Sequence, residues 1–389
     1  MKVVYTAPNK SHHYIYALGL LKANILYRFV SGFSRFSPRA KQAELAPKIR
    51  RADILQTIYI ACLKFKLPDF LSRKIAYLAK IEQDLACKKY VKDCDIFLFY
   101  NGSGLSSCAY AKKNGVITIV EAVNSHISFQ EDILKTEYEK LGLVWKPSYQ
   151  KEKERRIKEY QEADFILMPS EFVRSSFIQM GFAKEKLLKI PYGFNKFQAS
   201  NHQVVKDNTK FTVLFVGSIS VRKGLRYLIN AFNDLKHPNK QLVIVGPTNH
   251  DTGIADLSLS SDIVFRGVLK GNDLEDAYHN ADVFCLPSIE EGLALVLGEA
   301  IASGLPIIAT TNTGASDIIS DGCEGFIVPI CDDKAILSKM QLLADNEELL
   351  TSMKQAAKFK SKDLPGWDVT TSNLVNTLTT IFNEKKNSR

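Results

Sequence analysis

The sequence predicts an α/β protein of two doubly wound domains facing each other across a central cleft. Three observations lead there. Apolar β-rich runs alternate with helical patterns along the chain, as in parallel sheets built from βαβ units. At 389 residues the chain exceeds one ordinary core and suits two domains of about 150–200 residues. A polar, aperiodic stretch at 198–209 reads as the linker between them.

The first domain is expected over 1–197, with strands at Lys2–Thr6, Ile96–Tyr100, Val116–Glu121, Phe165–Met168 and Leu187–Ile190. The second, over 210–367, has strands at Thr212–Val216, Gln241–Val245, Ile263–Phe265, Val283–Leu286, Pro306–Ala309 and Gly325–Val328. The last segment, 368–389, reads as a helix crossing back onto the first domain. In such sheets ligands bind beyond the carboxyl ends of the strands, so the loops there are the place to look for chemistry. Residues 11–90 fit less simply: Tyr14–Phe36 and Ala52–Lys92 read as long helices rich in Lys, Arg, Tyr and Phe. Solvated surface helices are the preferred reading, with docking to anionic lipid or a lipid-linked acceptor as the sharper one.

Composition narrows the class. With 46% hydrophobic and 24% charged residues the chain is globular rather than disordered. It has no apolar run long enough for a membrane span and no signal-peptide pattern, so a cytoplasmic location is expected. The seven cysteines are scattered without metal-ligand spacing and are expected as free thiols. Residues 1–200 hold 33 Lys+Arg against 19 Asp+Glu, a balance of +14, whereas the rest hold 18 against 23, or −5. The first half therefore suits an anionic partner, with a membrane surface, a phosphate-bearing acceptor and nucleic acid as candidates. Nucleic acid is set aside because no stacking motif or recognised nucleic-acid fold accompanies the charge.

The segment Pro287–Pro306 is the most informative. A strand ends at Leu286, a turn holding Gly292 follows, and a helix is expected to begin near Leu293. Free N–H groups at a helix start suit a diphosphate or sugar oxygens. Glu291 stands at the mouth of the turn, and Glu299, two helical turns on, is expected to face the same cleft. An earlier strand, loop and helix, Leu214–Ala231, carries Gly217, Ser218, Arg222, Lys223 and Gly224. Cations after a strand–glycine turn suit phosphate, and the glycines do not make a dinucleotide fingerprint.

Together these segments resemble the donor site of the retaining GT-B glycosyltransferases of family four, the "glycosyl transferases group one". The pattern is Pro-Ser, Glu-Gly-Phe-Gly-Leu and Glu-Ala-x-Ala-x-Gly-x-Pro, here with Leu293 and Ala294 in place of Phe and Gly. Lys223 falls on a diphosphate-binding lysine and Ser218 on a diphosphate-binding arginine, with Arg222 a candidate replacement. Arg266-Gly267-Val268 matches the segment that holds the base through backbone groups. Thr310–Asp317 matches a loop near the phosphates. Ala163–Arg174 and Ile190–Phe194 match the last strands of the acceptor domain. The resemblance covers about residues 95–385 and implies the GT-B fold, two Rossmann-like domains, the C-terminal helix included.

It also implies transfer of a sugar from a nucleoside diphosphate to an acceptor hydroxyl with retention, in polysaccharide or glycolipid biosynthesis. The leaving phosphate itself would assist the incoming hydroxyl. The catalytic expectations are Glu291, Lys223 and His126, the last placed facing the cleft. The donor-binding set is Gly217, Ser218, Arg222, Lys223, Gly267, Val268, Glu291, Gly292, Leu293, Ala294, Leu295 and Glu299. No cofactor and no metal are expected. Asp93-Cys94-Asp95 has the form of a metal motif but precedes its strand instead of following one. Expected partners are a nucleotide-sugar donor and a carbohydrate or lipid-linked acceptor, with an anionic membrane at the inner face as a further candidate. A GT-B epimerase and a donor-binding protein with a degenerate site are the alternatives.

Overall fold

The computed structural model describes residues 1–37, 40–195, 209–249 and 251–387. Residues 1–195 build a seven-stranded sheet and residues 209–328 a six-stranded one, every pairing parallel. The expected linker lies, apart from Thr209, outside the described residues.

In chain order the first domain comprises β1 (Val3–Ala7), α1 (His13–Lys22), β2 (Leu26–Ser31), β3 (Ile49–Arg51), α2 (Ile54–Lys64), α3 (Asp69–Val91), β4 (Ile96–Tyr100), α4 (Leu105–Lys113), β5 (Ile117–Glu121), α5 (Ile127–Lys140), α6 (Gln150–Glu162), β6 (Phe165–Met168), α7 (Glu171–Gln179) and β7 (Leu187–Lys189). The second comprises β8 (Phe211–Val216), α8 (Leu225–Asp234), β9 (Lys240–Val245), β10 (Ile263–Gly267), α9 (Asn272–His279), β11 (Val283–Leu286), α10 (Leu295–Ala302), β12 (Ile307–Thr310), β13 (Gly325–Val328), α11 (Asp333–Asp345) and α12 (Glu347–Asp363). The final helix is α13 (Trp367–Asn387).

Central strands are apolar on both faces because helices cover both. All six residues of β8 and all five of β5 are buried. The sheet orders are β3-β2-β1-β4-β5-β6-β7 and β10-β9-β8-β11-β12-β13. Strand order therefore reverses between β1 and β4 in one sheet and between β8 and β11 in the other. A crevice opens at such points, and here the loops that leave the two of them meet at the cleft.

Two expectations in the first domain are corrected. Tyr14–Phe36 is not one helix. Asn24 takes a left-handed conformation (φ +59°) after α1 and turns the chain into β2. Asn adopts that cap more readily than most residues, and the aromatic and β-branched Tyr27, Phe29 and Val30 suit a strand. Ala52–Lys92 likewise breaks at Lys66 (φ +51°) and Pro68 into α2 and α3. Among the described residues no helix is long and apolar enough to cross a membrane, and all seven cysteines are free.

The last helix returns to the first domain as expected. It buries Thr370, Leu374, Leu378 and Ile381 and packs on α1. The two approach so closely at Gly19 that a Cβ there would lie 2.5 Å from Thr371. Thr370 Oγ1 donates to Pro191 O at 3.2 Å. Leu378 is 1% exposed, so Leu378→Ala is expected to cost about 2–5 kcal/mol. Urea unfolding measures this as a lower midpoint with an unchanged slope.

Candidate active site

Two loops of the second domain are stitched together. The loop after β8 ends in a single turn of 3-10 helix, Val221–Lys223, closed by Gly224 at φ +63°. A Cβ on Gly224 would sit 2.0 Å from Pro287 O, so only glycine allows this approach and this φ together. Ile289 N–H donates to Arg222 O at 2.9 Å, and Arg222 Nη1 donates to Glu290 O at 3.1 Å. The adjacent basic and acidic pairs are thus held face to face. Lys223 Nζ contacts Glu291 Oε1 as an ion pair without forming an aligned hydrogen bond. Arg222 Nη1 lies 3.6 Å from Glu291 Oε2 and 3.3 Å from Glu290 Oε2. Burial alone would lower the Arg222 pKa, but Glu291 and Glu290 raise it and keep the guanidinium charged.

The helix after this loop begins two residues later than the sequence suggested, because hydrogen bonds to the loop after β12 hold the segment before it and Ala294 is extended (φ −76°, ψ 106°). Glu291 N–H donates to Asn312 O at 3.0 Å and Ala294 N–H to Thr313 O at 3.2 Å. The Ala294 amide is therefore engaged. Those of Gly292, Leu293, Leu295 and Val296 make no hydrogen bond among the described residues, and they lead into α10 with its positive dipole end. Ser218 follows Gly217, whose amide donates to Val245 O at 2.9 Å, and Gly246 N–H donates to Gly267 O at 2.7 Å. The turns after β8, β9 and β10 thus line up at one sheet edge, ending in the exposed Val268. Glu299 lies one turn beyond Leu295 on α10 and accepts from Tyr278 Oη at 2.9 Å. Burial raises its pKa, against the Tyr278 hydrogen bond.

The first domain closes over this face. Gly292 meets the loop after β5, where a Cβ would lie 1.8 Å from Val123 O. Ser170 Oγ donates to Gly292 O at 2.6 Å, and Asp317 accepts from Glu171 N–H at 2.7 Å and Lys189 Nζ at 2.8 Å. A cavity of about 210 Å³ remains between the domains, with Glu291, Gly292 and Leu295 on one wall and Ser11, His12 and Asn124 on the other.

Residues 196–360 match the sequence model of the family described as "Glycosyl transferases group 1". The second domain is a glycosyl transferases group 1 domain. The chain is 28% identical over 230 residues to the sulfoquinovosyl transferase of Arabidopsis thaliana, covering 56% of this chain and 44% of that one. It is 32% identical over 205 residues to the capsular polysaccharide glycosyltransferase CapM of Staphylococcus aureus, covering 47% and 53%. The chain spans about half the length of the curated relatives it matches. Among solved structures, HepE of Anabaena in complex with UDP superposes with a TM-score of 0.65 at 14% identity, covering 98% of this chain and 100% of that one. Sucrose-phosphate synthase of Thermosynechococcus elongatus gives 0.68 at 17%, covering 99% and 100%. The architecture is the GT-B fold.

The glycosyltransferase domain faces a polar cluster that sequence reasoning missed. At the end of β5, Glu121 Oε1 accepts from His12 Nε2 at 2.5 Å, and its Oε2 accepts from Tyr5 Oη at 2.9 Å. His13 Nδ1 lies 3.2 Å from Oε2 and 2.7 Å from Tyr5 Oη. Burial and the adjacent His13 lower His12 to about 4. Burial alone would raise the carboxyl of Glu121, but the imidazoles hold it below the usual range. The pair is therefore a carboxylate and a neutral imidazole at neutral pH, with Nδ1 of His12 left as an acceptor 3.4 Å from Ser11 Oγ. Atoms of His12, His13 and Glu121 lie within 4.8 Å of one another and could hold a metal. The sequence signal was a His-His pair at the end of the loop that follows the first strand.

His126 is corrected. It caps α5, its Nδ1 accepting from Ser128 N–H at 3.2 Å. Its ring is buried against Tyr160, Phe177 and Phe182 rather than facing the cleft. Burial, then Arg156 and Lys153, lowers its pKa to about 4. An unfolded imidazole titrates near 6.5, so the unfolded chain takes up the proton first. Stability from this residue is present above about pH 6.5 and lost as pH falls towards 4, by on the order of 3 kcal/mol. In His126→Phe the loss of melting temperature across that window should be smaller than in the parent. An identical pH slope would show that His126 contributes nothing.

Proposed function

We propose that the protein transfers a sugar from a nucleoside diphosphate to an acceptor hydroxyl, with retention of anomeric configuration, in polysaccharide or glycolipid biosynthesis. One observation carries this reading. Lys223 and Arg222 converge on the start of α10 inside a group 1 glycosyltransferase domain, where, among the described residues, their charges are balanced by the carboxylates of Glu290 and Glu291. The solved relative HepE, of the same fold, holds UDP.

The donor diphosphate takes the place of Glu291 on Lys223 and receives further N–H groups from Gly292, Leu293 and Leu295. Glu291, released, accepts hydrogen bonds from sugar hydroxyls, and Glu299 from the ribose. As the bond from the anomeric carbon to the phosphate oxygen breaks, charge grows on the diphosphate and these fixed groups stabilise it. The acceptor oxygen bonds to the anomeric carbon, and its proton passes to the departing phosphate. On the opposite wall neutral His12, oriented by Glu121, accepts a hydrogen bond from the acceptor. The reading needs no metal, because the two cations supply the positive charge.

A cavity of about 210 Å³ is smaller than the roughly 300–1,000 Å³ of sites that enclose such ligands. The domains therefore part to admit the donor and close again to exclude water. Four outcomes are expected. A nucleoside diphosphate among UDP, GDP and ADP raises the melting temperature, and a flat response to all of them and their sugars refutes the proposal. Lys223→Ala lowers kcat by roughly 10²–10³, and EDTA leaves the parent's turnover unchanged. Gly292→Ala, whose methyl would strike Val123 O, lowers kcat more than it weakens donor binding.

A further inference from the structure

The sequence suggests a solvated helical stretch over 52–92, yet the two helices formed there, α2 and α3, expose many large apolar side chains. Around the turn joining α2 to α3, Leu63, Phe65, Leu67 and Phe70 are 53%, 72%, 43% and 74% exposed. Ile54 and Ile58, one turn apart on α2, are 64% and 44% exposed, and Leu85 on α3 is 54% exposed. Four large side chains exposed within eight residues of one turn mark a contact surface. Lysines interleave with them. Residues 35–92 hold 14 Lys+Arg against 5 Asp+Glu, a surplus of +9 that equals the net charge of the whole chain.

The acids of this segment are largely turned inward or engaged. Asp53 binds Arg35 at 2.6 Å, Asp84 pairs with Arg155, Asp69 with Arg73 at 2.9 Å, and Glu82 accepts from Leu55 N–H at 2.8 Å. Lys64, Lys66 and Lys74 are exposed and make no ion pair among the described residues.

We propose that the α2–α3 turn is a docking surface for an anionic lipid bilayer, with Phe65 and Phe70 entering the acyl boundary and Lys64, Lys66 and Lys74 meeting lipid phosphates. The surface is a protruding turn, not a groove that would receive a peptide. A second copy fits poorly, because a two-fold contact sets the same lysines against each other. An anionic interface satisfies both parts, burying the rings while the lysine stems reach the headgroups.

The position relative to the cleft gives this docking a use. A cavity of about 570 Å³ opens beside the turn, lined by Leu63, Tyr59, Arg73 and Lys80, and it shares Asn9 and Tyr100 with the cavity that holds His12 and Glu291. An acceptor carried by a membrane lipid would enter there. That last step rests on the proposed transfer reaction; the docking itself does not.

The test is co-sedimentation of the full chain with vesicles of phosphatidylcholine alone or mixed with phosphatidylglycerol. Binding is expected only to the anionic vesicles, falling with added salt. Lys64→Glu with Lys66→Glu should weaken it about tenfold or more, and Phe65→Ser with Phe70→Ser by a similar factor. Unchanged circular dichroism and an unchanged thermal shift with nucleoside diphosphate show that the variants are folded. Equal binding by parent and variants, or equal binding to neutral vesicles, overturns the proposal. So does a dimer in sedimentation velocity that the Phe variants dissociate, which would assign the surface to a second copy. Vesicle binding without any thermal response to nucleotides would leave the docking standing and the transfer reaction refuted.

Discussion

Glu290 is a fully buried carboxylate on the seam between the two sheets, and its charge is satisfied from both sides at once. Ser125 donates through N–H at 3.2 Å and Oγ at 2.7 Å, and Gln130 Nε2 at 2.6 Å, all from the first domain. Arg222 Nη1 approaches from the second at 3.3 Å. A buried charge missing such partners costs several kcal/mol, so the closed arrangement is also the one that pairs Glu290. Much of the site follows from this contact. Holding Ser125 draws the loop after β5 across the second domain, which puts Val123 O against Gly292 and turns the next residue, His126, into its own domain's aromatic core.

The same carboxylate explains how a site with serine at 218 keeps two cations in place. Arg222 donates to the backbone and side chain of Glu290, so its position is set by a buried partner rather than by a flexible loop. Lys223 lies beside Gly217, where a Cβ would be 3.5 Å from its Cε. Two adjacent bases on a single turn thus stand against two adjacent acids. Two cations are thus held on this turn although position 218 is a serine.

The second domain was legible because its site is local in sequence. Each strand, turn and helix lies within one short stretch of chain, so Gly217 was readable with Lys223 and Glu291 with Glu299, and the family resemblance then joined the two segments. Strands such as Val283–Leu286 are uninterrupted apolar runs between turn residues, the clearest strand signal. Strand β2 was hidden because Ile25–Val30 continues the apolar character of α1, and only Asn24 marks the break. Glu290 was passed over for Glu291 because its partners, Ser125 and Gln130, are more than 150 residues away. The His12–Glu121 pair spans 109 residues and exists only because β1 and β5 flank β4 in one sheet. His126 was misplaced for the complementary reason: its position after a strand was visible, but the rings of Phe177 and Phe182 that enclose it were not.

Internal pairing also shapes what the cleft can bind. With Lys223 and Arg222 already neutralised by Glu290 and Glu291, an incoming anion must displace a carboxylate held at effectively high local concentration. A singly charged ligand gains little from that exchange. A diphosphate offers two charges and several acceptor oxygens, and it can meet Lys223 together with the unbonded amides of Gly292, Leu293, Leu295 and Val296, which the carboxylate of Glu291 does not use. The exchange therefore favours ligands that span the cation and the helix start together. In the proposed reaction the same exchange would release Glu291 as the donor arrives, so the group proposed to orient the sugar would become available only when a sugar is there to be oriented.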